Sequence, residues 1–121
     1  MKIVVTSYGE TLSSQVDKSF GRANWFIVVD DQTGKFEAHS NSRNVNAAQG
    51  AGTQAGQSVA ELGAEVLLTG NVGPNAMKTL QAASVRVFAV KGEMTVEEAI
   101  ARWKEGGLEE VAETTFAGKW V

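Results

Sequence analysis

The spacing between strand-like runs constrains this chain more than any other feature. Residues 25–30, WFIVVD, and residues 35–40, KFEAHS, are separated only by the turn DQTG. So short a link joins two strands as an antiparallel hairpin. In the second run Phe36 and Ala38 alternate with Lys35, Glu37 and His39, the period of a half-exposed strand whose buried face carries Phe36 and Ala38. Residues 2–6, KIVVT, form a run suited to burial on both sheet faces. After residue 40 the period changes. Ala51, Ala55, Val59 and Leu62 fall at helical spacing ahead of Gly63. EVLLTG, residues 65–70, is a fourth strand, and Pro74 opens a helix continued by Met77, Leu80 and Ala83. VRVFAV, residues 85–90, is a fifth strand. Thr95 and Glu98 then have capping-box spacing before the stripe Val96, Ala99, Ile100 and Trp103.

The order is therefore β-β-β-α-β-α-β-α. Helical crossovers between strands of one sheet imply parallel pairing. The expected architecture is a three-layer α/β/α domain with a mixed five-stranded sheet. It spans residues 1–108, and residues 109–121 form a poorly periodic tail.

Composition removes whole classes of chemistry. The chain has 121 residues, enough for one domain with a hydrophobic core, and a formal net charge of −3. That balance offers no basic face for nucleic acid. No apolar run approaches the ~18 residues of a spanning helix, so no membrane association is expected. The apolar segment after Met1 is too brief for a secretory signal, so a cytoplasmic location is expected. Cysteine is absent, which excludes disulfides, thiolate nucleophiles and thiolate-ligated zinc or iron–sulfur clusters. His39 is the only histidine, and one imidazole is not a metal site. It reads either as an exposed strand residue or as a ligand to a bound metal at the mouth of the loop that follows.

The acids do not converge. Asp30 and Asp31 flank the hairpin turn, Glu97 and Glu98 open a helix, Glu109 and Glu110 begin the tail, and KIVVT carries none. Two-metal hydrolysis needs several carboxylates at one strand edge. Serines cluster near residues 7–14 without a base beside them. No enzyme activity is expected.

Ligands of open α/β sheets collect at the carboxyl ends of parallel strands. Here that edge carries TSYGET after the first strand, GNVGPN (residues 70–75) after the fourth and KGEMT (residues 91–95) after the fifth. The loop NSRNVNAAQGAGTQAGQ, residues 41–57, leads into a helix N-terminus that a right-handed crossover brings to the same region. Glycines there allow close backbone approach, helix-start amides attract anions, and Arg22 and Arg43 add cationic contacts. The same glycines also serve as ordinary turn punctuation. GAGTQA, residues 50–55, formally matches a dinucleotide fingerprint, but no buried first strand precedes it. Glu61 and Glu65 also come too early for a ribose-binding acid.

Taken together, MKIVV, SFGRANWFIVVD, ELGAEVLLTGNVGPNAMKTLQAASVRVFAV and TVEEAIARWKEGGL resemble the dinitrogenase iron–molybdenum cofactor biosynthesis domain family. The most specific pieces are Phe20-Gly21-Arg22-Ala23 and the Gly70-x-x-Gly73 turn. The resemblance implies a ribonuclease H-like topology, strand order 3-2-1-4-5 with strand 2 antiparallel. It implies non-enzymatic carriage of an anionic iron–molybdenum or other molybdenum–sulfur cluster, or its precursor, held without covalent bonds and able to be absent from purified protein. Cofactor-assembly or delivery proteins are the implied partners. The ligand region carried over comprises Ser7, Gly9, Phe20, Gly21, Arg22, the loop with Arg43, Asn44, Gly50 and Gly52, and the turn with Gly70, Asn71 and Gly73. Several family members carry histidine or cysteine in or near the long loop, where this chain offers only His39, so thiolate anchoring is excluded. Two other readings stand beside this one. One is a nucleotide- or phosphate-binding domain using GAGTQA, and the other an interaction module using Phe116 and Trp120 of the tail.

Overall fold

The computed structural model describes residues 1–42 and 51–111. Six strands form one sheet: β1 (Lys2–Ser7), β2 (Trp25–Asp30), β3 (Phe36–Ser40), β4 (Val66–Thr69), β5 (Arg86–Ala89) and β6 (Glu109–Val111), in the order β3-β2-β1-β4-β5-β6. Strands β1, β4 and β5 are parallel, β2 is antiparallel to β1 and β3, and β6 is antiparallel to β5. Among the described residues three α-helices flank the sheet: α1 (Ala51–Glu61), α2 (Pro74–Ala82) and α3 (Val96–Lys104).

Alternation along each strand divides the core into two layers. Val4, Phe26, Val28, Leu67 and Val87 face one way and pack with Ala55 and Val59 of α1 and Ala76, Met77 and Leu80 of α2. Ile3, Val5, Ile27, Val29, Val66, Leu68 and Phe88 face the other way, onto Val96 and Ala99 of α3. Register holds these rows together, since Val4 lies beside both Val28 and Leu67, and Leu67 beside Val87. Pro74 sits at the start of α2. Thr95 caps α3 reciprocally with Glu98, as their spacing predicts.

Two expectations are corrected. The sheet has six strands rather than five, because Glu109–Val111, assigned from sequence to the tail, pairs with β5. Arg86 grips Glu110 through two hydrogen bonds (2.8 and 3.0 Å), Lys91 meets Glu109 at 3.0 Å, and Val111 packs against the α1/α2 layer. Ion pairs hold a run whose polarity hid it. Phe36, expected on the buried face, is 41% exposed: β3 is an edge strand with no further described strand beyond it.

Candidate functional site

The site is built where the chain changes sheet faces. After β1, Leu12 and Val16 pack on the α3 face, and this segment is pinned to the start of α3 by backbone hydrogen bonds such as Val96 N–H to Ser14 O, 2.9 Å. The chain then crosses the carboxyl edge of the sheet at Lys18. The Asn71 N–H donates to Lys18 O (2.7 Å), and the Phe20 N–H donates to Asn71 O (3.4 Å). A buried polar knot lies beneath the crossing. Thr6 Oγ1 donates to Asp17 O (2.6 Å) and lies 2.6 Å from Thr69 Oγ1, while Asp17 Oδ1 accepts from the Ser19 N–H (3.0 Å). The chain emerges on the α1/α2 face as the 3-10 turn Phe20–Arg22. Phe20 is buried there, its ring stacked on Phe26 with centroids 6.1 Å apart.

Between this turn, the first described turn of α1 and the start of α2 lies a cleft of about 300 Å³. Phe20, Gly21 and Arg22 form one wall, Gly52 and Thr53 a second, and Gly73, Pro74, Asn75 and Ala76 the third. No carboxylate is among these described lining residues, and Arg22 supplies the charge. Gly73 is the N-cap of α2 and has no side-chain cap. Pro74 has no N–H, and the first helical bond is Met77 N–H to Gly73 O, 2.9 Å. The amides of Asn75 and Ala76 therefore lack intrahelical acceptors and lie at the positive end of the helix dipole. Such a helix start favours a negatively charged occupant.

A second cleft of about 390 Å³ lies on the other side of the Gly70–Gly73 turn, between the ends of β4 and β5. Its cations are already engaged, with Lys18 Nζ 3.3 Å from Glu93 Oε1 and Lys91 Nζ 3.0 Å from Glu109 Oε2. The first cleft is the better anion site because the uncapped start of α2 lies on its wall.

The candidate residues divide accordingly. Phe20, Gly21, Arg22, Gly52 and Gly73 meet at the first cleft, whereas Gly70 and Asn71 line the second. Ser7 is buried in a turn of its own, its Oγ donating to Gly9 O (2.8 Å) and accepting from the Gly9 N–H (3.1 Å). Neither Ser7 nor Gly9 lines either cleft, because the chain there lies on the α3 face. Arg43, Asn44 and Gly50 lie outside the described residues, as do Phe116 and Trp120. His39 stands opposite Phe26 in the β2–β3 ladder and meets Glu37 Oε2 at 3.2 Å. Among the described residues no group of three or more histidines, cysteines or acids could hold a metal ion.

Two glycines of the loop-and-helix region have packing reasons to be glycine. A Cβ on Gly52 would stand 3.3 Å from Ala76 Cβ, and one on Gly56 would stand 3.2 Å from Thr79 Cγ2. They bring α1 close to α2. Thr53 and Asn75 lay within the segments the sequence pointed to without being singled out, and Ala76 was missed, although Pro74 marked it as a first-turn position.

The fold and a cleft with no carboxylate among its described lining residues define a class, a one-sheet α/β domain that sets an uncapped helix start beside an arginine. The chain belongs to the dinitrogenase iron–molybdenum cofactor family, whose model matches residues 1–106. It is similar to the apo form of the orange protein of Desulfovibrio gigas, with 42% identity, coverage of 93% of each chain and a TM-score of 0.89. It is also similar to a putative NifB protein of Thermotoga, with 39% identity, coverage of 94% of this chain and 96% of the other, and a TM-score of 0.82. An uncharacterized protein of Methanocaldococcus jannaschii is 24% identical over 99 residues, 80% of this chain and 83% of that protein.

Proposed function

We propose that this protein is a non-catalytic carrier that binds an anionic metal–sulfur cofactor, or the precursor of one, in the cleft beside Arg22. Family membership supports a cofactor-related role. The observation that carries the reading is the cleft itself, with Arg22 and the uncapped start of α2 on its walls and no carboxylate among its described lining residues. A polyanionic molybdenum–sulfur cluster suits these donors, since amide N–H groups and a guanidinium hold charge without replacing a ligand on the metal. Release to assembly or delivery proteins belongs to the same reading, as do a cytoplasmic setting and a ribonuclease H-like topology for the first five strands. No described helix is long and apolar enough to cross a membrane.

The test is an amide-resolved NMR titration with tetrathiomolybdate. The expected result is a set of shifts centred on Gly21, Arg22, Gly52, Thr53, Asn75 and Ala76. The variant Arg22→Gln should weaken binding roughly tenfold or more, the usual cost of losing charged hydrogen bonds. Shifts confined to Lys18, Lys91 and Gly92 would move the site to the second cleft. A silent spectrum at millimolar ligand would overturn the proposal.

A further inference from the structure

The outer edge of β3 is complementary to itself. In the β2–β3 ladder, the Asp30 N–H donates to Lys35 O and the Asn41 N–H donates to Asn24 O, both at 2.9 Å. Hydrogen-bonded positions alternate along an antiparallel pair. The backbone groups of Glu37 and His39 therefore point toward β2, and those of Phe36, Ala38 and Ser40 point outward. No described strand takes them up.

We infer that two copies of this chain associate through β3, antiparallel about a two-fold axis at Ala38, so that one sheet runs through both. In this register Ala38 meets its own copy and Phe36 meets Ser40 of the second copy, each as a hydrogen-bonded pair that uses the outward groups. Glu37 then falls opposite His39 of the second copy at a non-hydrogen-bonded position, where side chains approach most closely. The two-fold axis repeats that contact. Glu37 and His39 already share a face, 3.2 Å apart within one strand, so pairing exchanges an intrastrand partner for a cross-strand one. On the opposite face Phe36, 41% exposed in the single chain, covers Ala38 of the second copy. The other edge of the sheet does not offer this. Strand β6 carries Glu109 and Glu110 within three residues, and self-pairing there sets carboxylate against carboxylate.

A five-residue edge is a small interface, so the association is weak and concentration-dependent. Sedimentation and amide NMR of the full chain, from micromolar to ~1 mM, test it. The expected result is reversible dimerisation, with concentration-dependent shifts at Phe36, Ala38 and Ser40. Ala38→Pro removes an outward N–H that β2 does not use, and proline is tolerated at such edge positions. It should leave a folded monomer. Glu37→Lys should weaken the dimer roughly tenfold by removing, twice over, the carboxylate that meets His39, and Glu37→Lys combined with His39→Glu should restore it as a lysine–glutamate pair. A chain that stays monomeric at ~1 mM, or a dimer indifferent to both Ala38→Pro and Glu37→Lys, would overturn the inference. If the proline variant does not fold, the charge-swap pair decides alone.

Discussion

Gly70 and Gly73 lie in one turn and answer to different constraints. A Cβ on Gly70 would stand 2.5 Å from Lys18 O, in the path of the crossing strand, whereas a Cβ on Gly73 would meet nothing within 4 Å. Gly70→Ala should therefore cost about 1–3 kcal/mol, the range for forcing extra atoms into a filled space. Gly73→Ala, at an ordinary φ of −73°, should cost less, about 0.5–1 kcal/mol, since alanine is a poorer N-cap than glycine. Urea midpoints check both, and equal midpoints would contradict the tight crossing. Sequence reasoning gave both glycines the same pair of readings, close approach by a ligand or ordinary turn punctuation. At Gly70 the close neighbour is the protein's own backbone, which no local pattern announces because Lys18 and Gly70 are remote in sequence.

At the scale of elements, the helices and the first five strands were legible because each repeats its period over several residues. Capping made the start of α3 readable as well. Thr95→Ala should cost about 1 kcal/mol, measurable by thermal or urea unfolding. Strand β6 was illegible because it has three residues, two of them acids, and docks through charges on a neighbouring strand. That mode of docking has a pH signature. The hydrogen bond from Arg86 lowers the Glu110 pKa, and hydrogen bonding to the Thr95 backbone lowers that of Glu98. Groups depressed in the folded state stabilise it fully above the ordinary carboxylate range and lose that contribution as pH falls through the folded values. Stability should accordingly decline on acidification. Glu110→Gln should begin lower at neutral pH and decline less steeply. Parallel curves for variant and parent would show that the ion pair contributes nothing.

Across the whole molecule, protection should follow depth in the sheet. Strands β1 and β4 are covered by helical layers on both faces, and Val4, Val5, Leu67 and Leu68 are fully buried. Their amides should exchange most slowly with solvent hydrogen, and those of β6 and the outward positions of β3 much faster. Slow exchange in β6 equal to that in β4 would contradict this ordering. The candidate site was legible only in part at this scale. Phe20-Gly21-Arg22 and the Pro74 helix start were visible as separate loops. Their meeting on the α1/α2 face depends on the crossing at Lys18, and the same crossing leaves Ser7 and Gly9 on the far side. The division into two layers also sorts the two tryptophans among the described residues. Trp25 and Trp103 both pack in the α3 layer, with the sheet between them and the cleft. Their fluorescence is thus a gauge of the α3 layer. A coloured ligand seated beside Arg22 would dim these two indoles by energy transfer through the sheet, never by collision, so quenching of their emission by ligand should not depend on solvent viscosity.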